Sequence, residues 1–222
     1  YIGDWSSDVC SSDLGGPFFG KNIKLSKVTP SEAINHPNWK MGKKISVDSA
    51  NLMNKLIEVI EASLIFNLPI NKFKIIIHPQ SLIHAIVEFK NGLSSMLYHL
   101  NDMKIPIANS LYNNSCIDFK KKNIFYSDRN LSFYNPDIKK FPSIKLIKLT
   151  QVLNETGFIL INVLNEILVM KFLKRKIHFT DIVVNLIDIL NSKLVKNYLK
   201  NNRIRHINDV FKTYNFSRSL IH

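Results

Sequence analysis

The sequence is poor in cysteine and glycine and short of acidic residues. Its two cysteines, Cys10 and Cys116, cannot build a disulfide framework and lack the paired spacing of a zinc site. That economy points to a reducing cytoplasm. Seven glycines are present, and none falls into the Gly-x-Gly-x-x-Gly fingerprint or a phosphate loop. A nucleotide cofactor would therefore need its main binding fold elsewhere. No run reaches the roughly 20 uninterrupted apolar residues of a membrane-spanning helix. The longest, 158–173, is broken by Asn162, Asn165 and Glu166 and reads as a buried helix. No membrane partner is expected, and no secretory signal opens the chain. The first residue is Tyr1 rather than Met, which suggests a missing front end.

Seventeen acidic residues face 30 basic ones, a formal net charge of +13. A surface of that sign attracts polyanions, so a nucleic-acid or other polyanion-binding protein is one reading. The charge is spread along the chain, among abundant Ile, Asn and Phe. An AT-rich genome encodes that mixture, and we prefer this explanation to nucleic-acid binding. With 222 residues, 45% of them hydrophobic, the chain is long enough for one large or two small cored domains.

Residues 1–14 stand apart. They contain the near-repeat Ser-Ser-Asp-Val-Cys-Ser-Ser-Asp-Leu and resemble translated sequencing-adapter sequence. The expectation is a foreign, unfolded segment. A turn-rich entry, Gly15-Gly16-Pro17-Phe18, follows. Thr29, Pro30 and Glu32 then hold the N-cap, N1 and N3 positions of a short helix, which His36-Pro37 ends. Residues 43–47 read as a short β-type run. Asp48 or Ser49 should cap a helix reaching Phe66, with Leu52, Leu56, Val59 and Ile60 on one side and Asn51, Asn54, Lys55, Glu58 and Glu61 opposite.

Residues 74–78 form a buried-strand pattern, and 83–89 and 93–100 flank Lys90-Asn91-Gly92 as a hairpin. Another helix should begin near Pro106. Residues 113–138 read as a linker. After Pro142 the pattern predicts helices at 143–156, 158–176, 181–192 and 206–220, with Gly157 as a stop and Thr180 as an N-cap. The expected fold is an α+β catalytic domain over 15–112 with a mixed, partly antiparallel sheet. A small all-α helical bundle should follow over 139–222.

Three constellations could carry chemistry. Asn54, Lys55 and Glu58 bring an amide, an ammonium and a carboxylate to one helical face. Glu58 is a hard oxygen ligand suited to Mg2+ or Mn2+, and Lys55 could hold a phosphate or oxyanion. A solvated face with ordinary i,i+4 pairs is the commoner meaning of this pattern alone. His36-Pro37-Asn38-Trp39 suits a loop closing over a polar ligand, although Trp39 could equally anchor that loop to the core. His78, Ser81 and His84 cluster without a common zinc spacing, and structural histidines explain them as well.

The run from His36 through Gly42 and Ser49 to Met53-Asn54-Lys55 and Glu58 resembles the signature of the 1-deoxy-D-xylulose 5-phosphate reductoisomerases. So do Gly15-Gly16-Pro17-Phe18, Ile77-His78-Pro79-Gln80-Ser81, Asp102-Met103, Pro136-Asp137, and Asn165-Glu166 with Phe179-Thr180-Asp181. The resemblance runs from Gly15 to near the C-terminus. It implies NADPH-dependent isomerisation and reduction of 1-deoxyxylulose 5-phosphate to 2-C-methylerythritol 4-phosphate, by a cytoplasmic homodimer using Mg2+ or Mn2+.

Carried over residue by residue, it makes Glu58 the metal ligand. His36, Trp39, Ser49, Asn54, Lys55 and Glu58 would bind substrate, and His36, Lys55 and Glu58 would serve catalysis. Trp39 would ride on a lid, and Gly42 and Met103 would touch NADPH. The family's cofactor domain and other acidic ligands are expected upstream. A family serine ahead of the Gly-Gly-Pro-Phe motif is Leu14 here, and a glycine and a proline ahead of Asp102 are His99 and Asn101.

Overall fold

The computed structural model describes residues 8–13, 16–35, 41–112 and 130–221. In chain order the elements are β1 (Asp8–Asp13), α1 (Pro30–Ile34), α2 (Lys43–Ala50), α3 (Met53–Phe66), β2 (Phe73–Ile77), β3 (Ile83–Glu88), β4 (Ser94–Tyr98) and α4 (Lys104–Leu111). Then come α5 (Lys145–Thr150), α6 (Glu155–Leu173), α7 (Phe179–Asn191), α8 (Lys193–Asn201) and α9 (Ile207–Ser219). The α+β expectation with a mixed sheet and a helical bundle holds.

The partition along the chain is different. One compact unit joins residues 1–14 to 72–135, and the other joins 15–71 to 136–222. The helices before β2 thus belong with the C-terminal bundle, and the boundary expected between 112 and 139 does not separate the two.

The sheet unit has the order β2-β1-β3-β4. β1 runs parallel to β2 and antiparallel to β3, and β3 pairs antiparallel with β4. Asp8–Asp13 is therefore the strand between β2 and β3, which corrects the expectation of an unfolded start. Backbone pairing across two neighbours asks little of side-chain identity, so a polar near-repeat can occupy a strand. β2 alternates, with Phe73, Ile75 and Ile77 buried and Lys74 exposed. The Asn-Gly hairpin is present: Gly92 takes φ 84°, and the Phe89 N–H donates to the Leu93 carbonyl at 2.8 Å. Within the expected linker, residues 113–129 lie outside the described residues. Tyr134 exchanges two 2.8 Å backbone hydrogen bonds with Ile77.

The helical unit centres on α6. Leu160, Ile161, Leu164, Leu168 and Val169 are buried, each gaining roughly 1.5–3 kcal/mol on leaving water. By length and composition alone α6 could cross a membrane, yet 56% of its apolar window is buried inside the protein. α6 packs against α2, α7 and α9, as its all-round apolar pattern predicts. Its start differs from expectation. Asn154 is the N-cap, accepting the Gly157 N–H at 3.1 Å, so Gly157 opens the helix rather than stopping one. Thr180 is likewise inside α7, whose N-cap residue His178 donates its N–H to Asp181 at 2.8 Å. The sequence pattern misses α8, because Ser192 ends α7 and at once caps the next helix by accepting the Val195 N–H at 3.3 Å.

Candidate functional site: the elbow between α2 and α3

Residues 43–47, expected as a strand, form the start of a helix. Gly42 caps it: its carbonyl accepts the Ser46 N–H at 3.0 Å and the Ser46 hydroxyl at 3.2 Å. Lys44 pairs with Asp48 one turn on, at 2.8 Å. In a strand Ile45 and Val47 would share a face. Here Ile45 is 53% exposed and Val47 is fully buried. β-branched propensity loses to capping and burial.

The single helix expected over 49–66 is two. Asp48 and Ser49 close α2 instead of opening the next helix. Asn51 and the left-handed Leu52 (φ 62°) form an elbow, and α3 begins at Met53. The strained Leu52 backbone is held by its own buried side chain and by Asn51, whose Oδ1 accepts the Met53 N–H at 3.0 Å. Gly16 packs against this elbow at φ 62°. A Cβ there would lie 2.6 Å from the Ser49 carbonyl oxygen. The Gly-Gly-Pro-Phe motif is thus a close backbone approach to Ser49.

The elbow gathers part of the predicted site. Ser49 is buried at the end of α2. Asn54 and Lys55 are half-buried in the first turn of α3, and Glu58 stands one turn beyond Asn54. Lys55 Nζ donates to Glu58 Oε2 at 2.7 Å, with the lysine side chain 12% exposed and the carboxylate side chain 45% exposed. The ammonium is thus largely sheltered, while the carboxylate still reaches solvent.

His36 and Trp39 lie outside the described residues. Gly42 belongs to the helical unit, and Met103, exposed just ahead of α4, belongs to the sheet unit. A Cβ on Gly42 would meet nothing within 4 Å, and its φ of −59° is open to any residue. Among the described residues nothing demands glycine there. Among the described residues no three His, Cys, Asp or Glu side chains come together as a metal site. Glu58 fits as one hard ligand, not as a complete set. A cavity of about 510 Å³ lined by Lys27, Phe172, Arg175 and Lys176 includes none of these side chains.

The histidine cluster is structural. His78 is buried, donates from Nδ1 to the Ser132 carbonyl at 2.9 Å and stacks on Phe133. Gln80 grips Ser132 by two more hydrogen bonds, at 2.6 and 3.3 Å. His84 stacks on His99 with ring centroids 3.7 Å apart. Parallel rings so close cannot both aim a nitrogen at one metal.

Sequence reasoning missed Asp48 and Asn165 as partners. Asp48 accepts from Asn165 Nδ2 at 2.8 Å, across 117 residues. Burial pushes the Asp48 carboxyl above the usual aspartate range, against the opposing pull of Lys44 and Asn165. The available signal was Asn165 among the apolar positions of α6, since an amide must find a polar partner when buried.

Residues 7–66 match the family "1-deoxy-D-xylulose 5-phosphate reductoisomerase C-terminal domain", and residues 100–220 match "DXP reductoisomerase C-terminal domain". The chain is 44% identical over 202 residues to the 1-deoxy-D-xylulose 5-phosphate reductoisomerase of Pelagibacter ubique, covering 88% of this chain and 51% of that protein. It is 44% identical over 171 residues to that of Endomicrobium trichonymphae, covering 76% and 44%. A solved DOX-P reductoisomerase in complex with NADPH, fosmidomycin and magnesium superposes with TM-score 0.85 at 33% identity, covering 96% of this chain and 54% of that one. The Zymomonas mobilis enzyme in complex with NADPH gives TM-score 0.82 at 31% identity, covering 96% and 54%. The chain spans about half the length of the relatives it matches.

Proposed function

The chain belongs to the 1-deoxy-D-xylulose 5-phosphate reductoisomerase family, and from that premise we propose that it carries the substrate-gripping half of such an enzyme. The full-length protein would isomerise 1-deoxyxylulose 5-phosphate and reduce the product with NADPH to 2-C-methylerythritol 4-phosphate, for isoprenoid synthesis. The observation that carries this reading is the elbow. It presents Ser49, Asn54, Lys55 and Glu58 from consecutive helical turns, with the Lys55 ammonium sheltered beside a reachable carboxylate.

Lys55 holds the substrate's anionic group, and its sheltered position strengthens that attraction. Ser49 and Asn54 supply hydroxyl and amide contacts to the sugar oxygens. The family resemblance adds His36 and Trp39 to the substrate-binding residues. Glu58 offers one oxygen ligand to Mg2+ or Mn2+, a metal that polarises the ketone and hydroxyl oxygens when bound. The family resemblance assigns NADPH contacts to Gly42 and to Met103; at Gly42 the described residues leave space beside the Cα for a close neighbour.

One ligand does not hold such a metal tightly, so the 222-residue chain by itself is expected not to turn over. A cytoplasmic homodimer completes the reading. Among the described residues β4 is an edge strand with Met96 and Leu97 exposed, which suits a partner subunit better than water. The polyanion-binding alternative has only the net charge behind it.

The test is loss of NADPH absorbance with the sugar phosphate and Mg2+. The full-length protein should be active, Lys55→Ala in it should be inactive, and the 222-residue chain should be inactive. A full-length protein that stays inert with both cofactors supplied overturns the proposal.

A further inference from the structure

Two polar tethers cross from the later helices to the elbow. Asn165 Nδ2 on α6 donates to Asp48 Oδ1 at 2.8 Å, and the Ser143 hydroxyl, in the turn ahead of α5, donates to the Asn51 carbonyl. All four residues are buried, Asn165 completely. The tethers close over sequence separations of 117 and 92 residues. Lys44 grips Asp48 from the other side at 2.8 Å. Apolar contact alone would pack α6 on α2, and burying an amide against a carboxylate is a costly substitute for it. Hydrogen bonds add direction, which dispersion and hydrophobic contact lack. The tethered residues sit beside the groups that matter: Asp48 precedes Ser49, and Asn51 precedes the left-handed Leu52 that aims Asn54, Lys55 and Glu58.

We infer that Asp48, Asn165 and Ser143 are positioning residues, through which the C-terminal helices set the aim of the substrate-binding elbow. The inference rests on the family reading of Ser49, Asn54 and Lys55. It gives the bundle a task beyond stability. The α6 helix fixes the end of α2, the turn before α5 fixes the start of α3, and the strained joint between them cannot relax.

Amide hydrogen exchange and steady-state kinetics in the full-length protein test this. Asn165→Leu should raise exchange at residues 49–55 by about tenfold or more while α7 and α8 keep their protection. The KM for the sugar phosphate should rise about ten- to a hundredfold, as misplacement of binding groups does, with kcat less affected. Ser143→Ala, a smaller deletion, should move both readouts in the same direction. Asp48→Asn keeps an oxygen that accepts from Asn165 and loses only the Lys44 pair, so it should move both readouts less than Asn165→Leu. Exchange that rises uniformly across the bundle, or a loosened elbow with an unchanged KM, overturns the inference. A wild-type protein that takes no sugar phosphate defeats the functional reading instead. Localised exchange in Asn165→Leu then still decides whether the tethers hold the elbow.

Discussion

Three glycines separate backbone strain from steric contact, and their alanine variants form one experiment. Gly16 has φ 62° and would place a Cβ 2.6 Å from the Ser49 carbonyl oxygen and 3.0 Å from the Ala50 Cα. Gly20 has φ 71° with nothing within 4 Å, and Gly42 has neither problem. A left-handed alanine costs about 1–2 kcal/mol. Stiffening the unfolded chain returns about 0.4–1 kcal/mol. Forcing an atom into occupied space adds about 1–3 kcal/mol. Gly20→Ala should therefore lose about 1 kcal/mol and Gly16→Ala about 2–4 kcal/mol. At Gly42, a modestly worse N-cap offsets the entropic gain, and the change should stay within about 0.5 kcal/mol. Urea unfolding at fixed pH measures all three. Gly16→Ala should also weaken sugar-phosphate binding, because the atom that must yield belongs to Ser49. Equal midpoints for Gly16→Ala and Gly20→Ala would refute the close-approach argument.

Other outcomes follow from the same geometry. Asp48 has a folded pKa above its unfolded one, so the folded state binds more protons and wild-type stability falls as pH rises through the folded pKa. The wild type should lose ground to Asp48→Asn as pH climbs from about 4 towards 7 in urea titrations; a constant or opposite difference refutes the burial argument. Leu164→Ala, at a fully buried position of α6, should cost about 2–5 kcal/mol, read by the same unfolding assay. Glu58→Gln should change stability by no more than about 1 kcal/mol, since its ion pair is partly exposed. It should nevertheless abolish Mg2+-dependent activity in the full-length protein, and full activity would remove Glu58 from the metal.

The sequence by itself determined most of the local structure. Capping residues around α1, the Asn-Gly hairpin and the apolar pattern of α6 rest on neighbours within a few residues, so they can be read along the chain. It also carried a signature whose family the comparisons bear out. Tertiary structure decided the rest. Residues 43–47 became helix because burying Val47 and pairing Lys44 with Asp48 outweighed β propensity. The helix expected over 49–66 broke at Leu52, where no local residue favours a left-handed turn. That turn persists because Asn51, Ser143 and a buried leucine side chain hold it, and Ser143 arrives from 92 residues away. The reason Gly16 must be glycine, and the pairing of Asp48 with Asn165, depend on distances that no spacing along the chain encodes.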